Sequence, residues 1–254
     1  MEGSFSAELL KLRKHRGVWL LLLAGVVIML SVRYAVPYGG YLAGVAPGGR
    51  AAVLPGRLVG NAIAMDALPV GAVAFVLGAV SAGGEYGWAT LKTTLIQRPS
   101  RVNVLAGKVA ALGVVVLVLV LAMFAVGAVA SAAVASAGRE PLTWPPPGAL
   151  TRGAAAGWLI LEMWTVLGAL TGYACRGVAL PAGLGVAWPL VVEAPLSLVP
   201  AARVVLPGGN AGSLVAAVST HSVAGGGRAA LAVAAYLLVA VVASGVLLRR
   251  REVR

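Results

Sequence analysis

Three carboxylates stand where carboxylates are costly: Asp66, Glu162 and Glu193 each fall inside a long apolar run. A charge held at the centre of a bilayer costs at least about 3 kcal/mol on insertion scales, so each needs a reason to be there. Asp66 is near the outer end of its run, where reaching water would be reason enough. Glu162 is well inside its run, close to Trp158 and Trp164. It fits a substrate path, a cation site or an ion pair with a neighbouring helix. Glu193 sits between Pro189 and Pro195, where a broken helix leaves carbonyls free. All three are therefore candidates for a pathway. Other chemistry is thinly represented. The single Cys175 cannot form an intramolecular disulfide, and His15 and His221 lie too far apart in sequence to compose a metal motif. A phosphate loop needs a glycine-rich turn followed by Lys and then Ser or Thr. The only Gly-Lys pair, Gly107-Lys108, is followed by Val109 and has Val102 where the first glycine belongs. No catalytic residue and no metal ligand is expected, and no soluble stretch is long enough to fold an ATPase.

The elements that hold these residues follow from composition. Of 254 residues, 60% are hydrophobic and 11% charged, with a mean hydropathy of +0.94. A soluble domain carries roughly a quarter of its residues as charges, so lipid is the solvent for most of this surface. The apolar runs are continuous rather than alternating with period two, which excludes a membrane barrel. Helices are the spanning form that remains, because they satisfy their own backbone groups. At about 20 apolar residues per crossing, six spans are expected, at about 18–36, 58–82, 109–137, 153–175, 178–199 and 231–248. The first is broken by Pro37-Tyr38-Gly39-Gly40, the third is long enough to tilt, and Pro181, Pro189 and Pro195 interrupt the fifth. The first run is read as an uncleaved anchor. A signal peptidase site after Ala35 would place Arg33 where a small residue is required.

Thirteen of the twenty basic residues fall before the first span, between the second and third, between the fourth and fifth, and after the sixth. Lys and Arg stay on the cytoplasmic side, so both termini are expected there. The formal charge of +12 is explained by topology and anionic lipid. It gives no support to nucleic-acid binding, because no basic patch comes with interleaved aromatics on a soluble domain. Within 1–16, Phe5, Leu9 and Leu12 recur at helical spacing while Glu8, Lys11 and His15 fall on another face. That pattern suits a helix lying in the headgroup plane; an ordinary basic flank with chance periodicity fits as well. The 83–108 segment reads GGEYGWATLKTTLIQRPSRVNVLAGK. Trp88, Leu91 and Leu95 fall on one side of a short helix over 89–96, Pro99 ends it, and Ser100 is placed to cap the helix that follows. Such a helix suits docking into another protein; the alternative is a loop that merely satisfies the positive-inside rule.

This loop resembles the first cytoplasmic loop of ABC-2 type permeases, the membrane subunits of ATP-driven exporters. The matching residues are Glu85, Thr90, Leu91, Lys92, Pro99, Ser100, Arg101 and Lys108, with Ala89 departing from the family's glycine. The opening Glu8, Leu9, Lys11 and Leu12 and the tail Arg249-Arg250-Arg251-Glu252-Val253 also look like that family. The resemblance implies an all-α membrane protein with an N-terminal interfacial helix, a cytoplasmic coupling helix, and short re-entrant outer helices between the last two spans, one of them over 210–223. It implies a cell-membrane permease working as a homodimer or heterodimer with a second copy or a paralogue. A separate ATP-binding cassette ATPase, holding the ATP and Mg that this chain does not bind, would drive it. Glu85, Tyr86, Trp88, Thr90, Leu91, Lys92 and Leu95 would then meet the ATPase, with Glu85 and Lys92 forming charge pairs across that contact. Pro99, Ser100, Arg101 and Lys108 would anchor the loop. Two other classes stay open: a secondary carrier relaying protons through the three acids, and a membrane scaffold that transports nothing. The substrate is not legible, because the walls of any pathway are generic Ala, Val, Leu and Gly.

Overall fold

The computed structural model describes residues 2–87, 101–196, 198–199, 202, 204–220 and 223–250. Among these residues every regular element is a helix. In chain order they are α1 (Glu2–Lys14), α2 (Arg16–Leu30), α3 (Val36–Leu42), α4 (Gly49–Ala52), α5 (Leu58–Ile63), α6 (Pro69–Gly87), α7 (Arg101–Ala137), α8 (Pro147–Cys175), α9 (Ala179–Ala187), α10 (Ala194–Leu196), α11 (Pro207–Ser219) and α12 (Val223–Arg250).

Among the described residues, five helices are long and apolar enough to cross a membrane: Arg16–Leu42, Pro69–Tyr86, Arg101–Ala137, Pro147–Cys175 and Gly225–Arg249. Even the shortest, at 18 residues, measures about 27 Å at 1.5 Å per residue, close to the hydrocarbon thickness. The chain is a multi-pass membrane protein. Among the described residues it shows five helices of crossing length where six spans are expected. The difference lies at 178–199, where α9 gives way at Trp188 to a wide π turn over Trp188–Glu193 and then to α10. Pro189 and Pro195 each lack a ladder donor there, and among the described residues the apolar helix Ala179–Glu193 is shorter than the five long ones.

Proline acts differently in the first span. The helix runs straight through Pro37 to Leu42, because the turn over Ser31–Ala35 is wound as a π turn just ahead of it. That turn absorbs the clash between a proline ring and the carbonyl four residues back. The expected break at Pro37 is therefore not found. Pro146 caps α8 and Pro147 begins it, the helix position where a missing N–H costs nothing. The second expected span, 58–82, is two helices: α5 ends at Ile63, and a turn over residues 64–68 precedes α6. The helix containing the third span begins at Arg101 rather than in the 109 region.

Helices α6 and α8 are the inner pair. Buried residues make up 61% and 67% of their spans, against 22% for the outer crossings built on α2 and α12. Their approach is backbone to backbone. A methyl group on Gly78 would overlap the Thr165 carbonyl, and one on Gly168 would overlap that of Phe75. Lipid gives helices no hydrophobic reason to associate, so small residues that admit this contact supply the packing. Helices α2, α5, α7, α9, α11 and α12 each pack against one or both members of the pair. Met29, Leu112, Leu119, Met123, Ile160 and Trp164 fill the common core.

Candidate functional site

The best-built polar site lies at one end of the bundle, where α1 crosses α7. Gly107 makes the crossing possible: a Cβ there would stand 2.8 Å from Ser4 Cβ and 3.0 Å from the Phe5 nitrogen. The face of α1 pressed inward is Ser4, Glu8 and Leu12, four residues apart. Glu8, expected on the water side of an interfacial helix, is thus buried against the next residue of α7. Lys108 is 1% exposed, and its ammonium lies 2.7 Å from Glu8 Oε2 and 2.9 Å from Glu85 Oε1. It also donates to the Ser81 carbonyl at 3.2 Å and approaches Ser81 Oγ at 3.4 Å. Lys11, half exposed, closes the cluster at 2.6 Å from Glu8 Oε1 and 3.4 Å from Glu85 Oε1. Two acids and two lysines balance, which is the condition under which charges persist in a low-dielectric interior. Burial alone would push the Glu8 carboxyl upward, but the Lys108 and Lys11 ammonium groups hold it below the ordinary glutamate value. A cavity of about 300 Å³ opens beside the cluster, lined by His15, Val18 and Val80 as well as its charged members.

Two further ties join at the same end. Arg101 donates through Nη1 to the Leu248 carbonyl and, at 3.3 Å, to that of Arg249, so a cation caps the last turn of α12. Ala82, Leu105, Ala169, Tyr173 and Leu248 form a separate apolar cluster against which Tyr86 packs. Helices α1, α6, α7, α8 and α12 are thereby fastened together around the two ends of the 88–100 segment.

Of the residues expected at the docking loop, Trp88, Thr90, Leu91, Lys92, Leu95, Pro99 and Ser100 lie outside the described residues, as does His221. Glu85 is inside the chain at 4% exposure, engaged with Lys108 and Lys11 rather than presented to a partner. Arg101 and Lys108 belong to α7, not to a loop. The residues that sequence reasoning missed are the partners, Ser81 among them. Glu8 and Lys11 at a spacing of three carried a signal of pairing, but nothing local pointed to α7.

The three acids in apolar runs separate into three cases. Asp66 does not reach water: it is fully buried in the 64–68 turn, and neither carboxylate oxygen has a partner among the described residues. The break in the expected span is the reason, since it folds the turn into the bundle. There Trp164 Nε1 donates to the Ala67 carbonyl at 3.1 Å, and Gly157 leaves room for Asp66 Oδ2. Glu193 accepts from Trp188 Nε1 at 2.8 Å and from the Gly208 backbone N–H. Its carboxylate therefore closes the N-terminus of α11, which begins at Pro207 and coincides with most of the expected outer helix over 210–223. Glu162 is buried in the middle of α8, its Oε2 unpartnered among the described residues, and lines a groove between α7, α8 and α12. Among the described residues no group of three or more His, Cys, Asp or Glu is gathered as a metal site would require.

No protein-family model matches this chain, and no curated protein is significantly similar to it.

Proposed function

We propose that the chain is the permease subunit of an ATP-binding cassette exporter, forming a substrate pathway as a dimer in the cell membrane and driven by a separate ATPase. The observation that carries this reading is the convergence of Glu8, Lys11, Glu85 and Lys108. Each matches the ABC-2 permease pattern in one of two distant segments, and all four belong to one charge cluster. The arrangement suits mechanical coupling. Glu85 and Lys108 flank the 88–100 segment and are paired to one another, while Arg101 ties its far end to α12. A push received by Trp88 to Leu95 from an ATPase beneath the membrane would pass into α1, α6, α7 and α12 together, with little slack to absorb it. Glu85 then holds the loop from inside, and Lys92 is left as the charge that faces the ATPase. Both termini are cytoplasmic in this reading.

The test is co-purification of the chain with its co-expressed neighbours. An ATP-binding cassette ATPase is expected to come with it, and Lys92→Ala and Leu95→Ala are expected to weaken that association or lower coupled turnover without altering the chain's thermal stability. Substrate export that continues on a proton gradient with no ATPase present would replace this reading with a secondary carrier.

A further inference from the structure

The groove that Glu162 lines is not needed for the coupling described above. It is an open groove of about 840 Å³ between α7, α8 and α12, a volume suited to a ligand of drug size. Apart from Glu162 and Trp158, every side chain that lines it is Ala, Gly, Val or Leu. Glu162 is about 20 Å from either end of α8 at 1.5 Å per residue, so the carboxyl lies at mid-height of that long apolar helix. It is 2% exposed, and its Oε2 has no partner among the described residues. Trp158 lies one turn earlier on the same helix face, and its Nε1 donates to the Gly113 carbonyl at 2.9 Å, which fixes the indole at the groove wall. Gly113 has no side chain to fill the space before the carboxyl: a Cβ there would stand 3.6 Å from Glu162 Oε1.

We infer that this groove is a binding site for a lipophilic monocation that enters sideways from the membrane between α7 and α12. An apolar body fits the Ala, Val and Leu walls, and Leu117 and Leu238, both exposed, form the open side. A single positive charge meets the one carboxylate available, in a medium where an unpaired charge is expensive. The indole adds a surface that attracts cations. A second copy of the chain would also cover an apolar groove, but it would leave Glu162 without a counter-charge unless it brought one. An inorganic cation would leave the walls unfilled.

The probe is tetraphenylphosphonium, with tetraphenylborate as the ion of the same shape and opposite charge. Both are titrated onto the full chain in phosphatidylcholine nanodiscs, with uptake by empty discs subtracted. Saturable binding of the phosphonium is expected, at least tenfold tighter than any saturable binding of the borate. Glu162→Gln is expected to weaken it at least tenfold, Glu162→Asp to retain most of it, and Trp158→Leu to weaken it less than Glu162→Gln. Sodium chloride at physiological strength is not expected to displace it. Equal affinity in wild type and Glu162→Gln, equal saturable binding of both ions, or no saturable binding would each overturn the site. So would disulfide cross-linking of two copies through Leu238→Cys in a Cys175→Ser background, which would assign the groove to a subunit interface. No ATPase takes part in the measurement, so a failure here and a failure of the proposed ATPase partnership are read separately.

Discussion

Lys108 is the residue on which most of the basal end depends. Its removal leaves Glu8 and Glu85 buried without compensation, and breaking a buried pair costs about 3–5 kcal/mol. Lys108→Met is expected to lower the unfolding temperature in detergent sharply, and adding Glu8→Gln to it is expected to recover part of the loss. The pH dependence follows from Glu8. Its folded value is held below the ordinary 4.5. The stabilisation it gives is therefore present above pH 4.5 and is lost as pH falls through the lower folded value. Stability measured across that acid range is expected to fall in the wild type and to fall less steeply in Glu8→Gln. Glu193 makes a smaller contribution of a different kind. Losing a helix cap costs about 0.5–2 kcal/mol, so Glu193→Ala is expected to speed hydrogen exchange at the start of Pro207–Ser219 without unfolding the bundle.

Among the elements, the contact between α6 and α8 is the one that admits least change. Gly78→Ala and Gly168→Ala each drive a methyl into a carbonyl of the facing helix, and overpacking of this kind costs about 1–3 kcal/mol. Gly183, on α9, has nothing within 4 Å of where its Cβ would be. Gly183→Ala is expected to be neutral or mildly stabilising, by up to about 1 kcal/mol, since alanine is the better helix former. Thermal unfolding of the three variants side by side checks this. A result in which all three behave alike would mean that the glycines of α6 and α8 serve something other than close packing.

The whole molecule brings α1 and the last turn of α12 to the same end of the bundle. Glu8 and Leu248 are both tied to the first part of α7, and Tyr173 near the end of α8 packs in the same cluster as Leu248. Helix α12 runs back toward that end, while the described helices between Arg176 and Val223, α9, α10 and α11, are all short. We propose that 179–206 completes an even number of crossings. Membrane-impermeant thiol reagents are expected to label Cys175, which is exposed, from the same side as a cysteine placed after Arg250. A Val205→Cys variant in a Cys175→Ser background is expected to be labelled from the other side. Labelling of both from one side would show that 179–206 turns back without crossing.

What was legible in the sequence was whatever depends on composition and local pattern. The all-helical membrane class follows from the apolar runs, because lipid leaves helices as the way to satisfy the backbone of such a run. Five of the six expected spans overlap helices long and apolar enough to cross, although the second is split at residues 64–68 and the fourth begins earlier than expected, at Pro147. Proline effects were read less well, because whether a proline breaks a helix depends on how the turn around it is wound: a π turn over Ser31–Ala35 carries the first helix on through Pro37, and Pro189 itself lies in a π turn over Trp188–Glu193 that leads directly into α10. Apart from the pairing of Glu8 with Lys11 one turn on, the fate of these charges was not legible. Glu85 reads as a surface residue and Asp66 as one that reaches water, yet both are buried. Glu8 and Lys108 are a hundred residues apart in sequence and 2.7 Å apart in space. Local pattern says where a charge sits along a helix, but which other helix faces it is decided by glycines that let two backbones close together, and that is a property of the packed bundle alone.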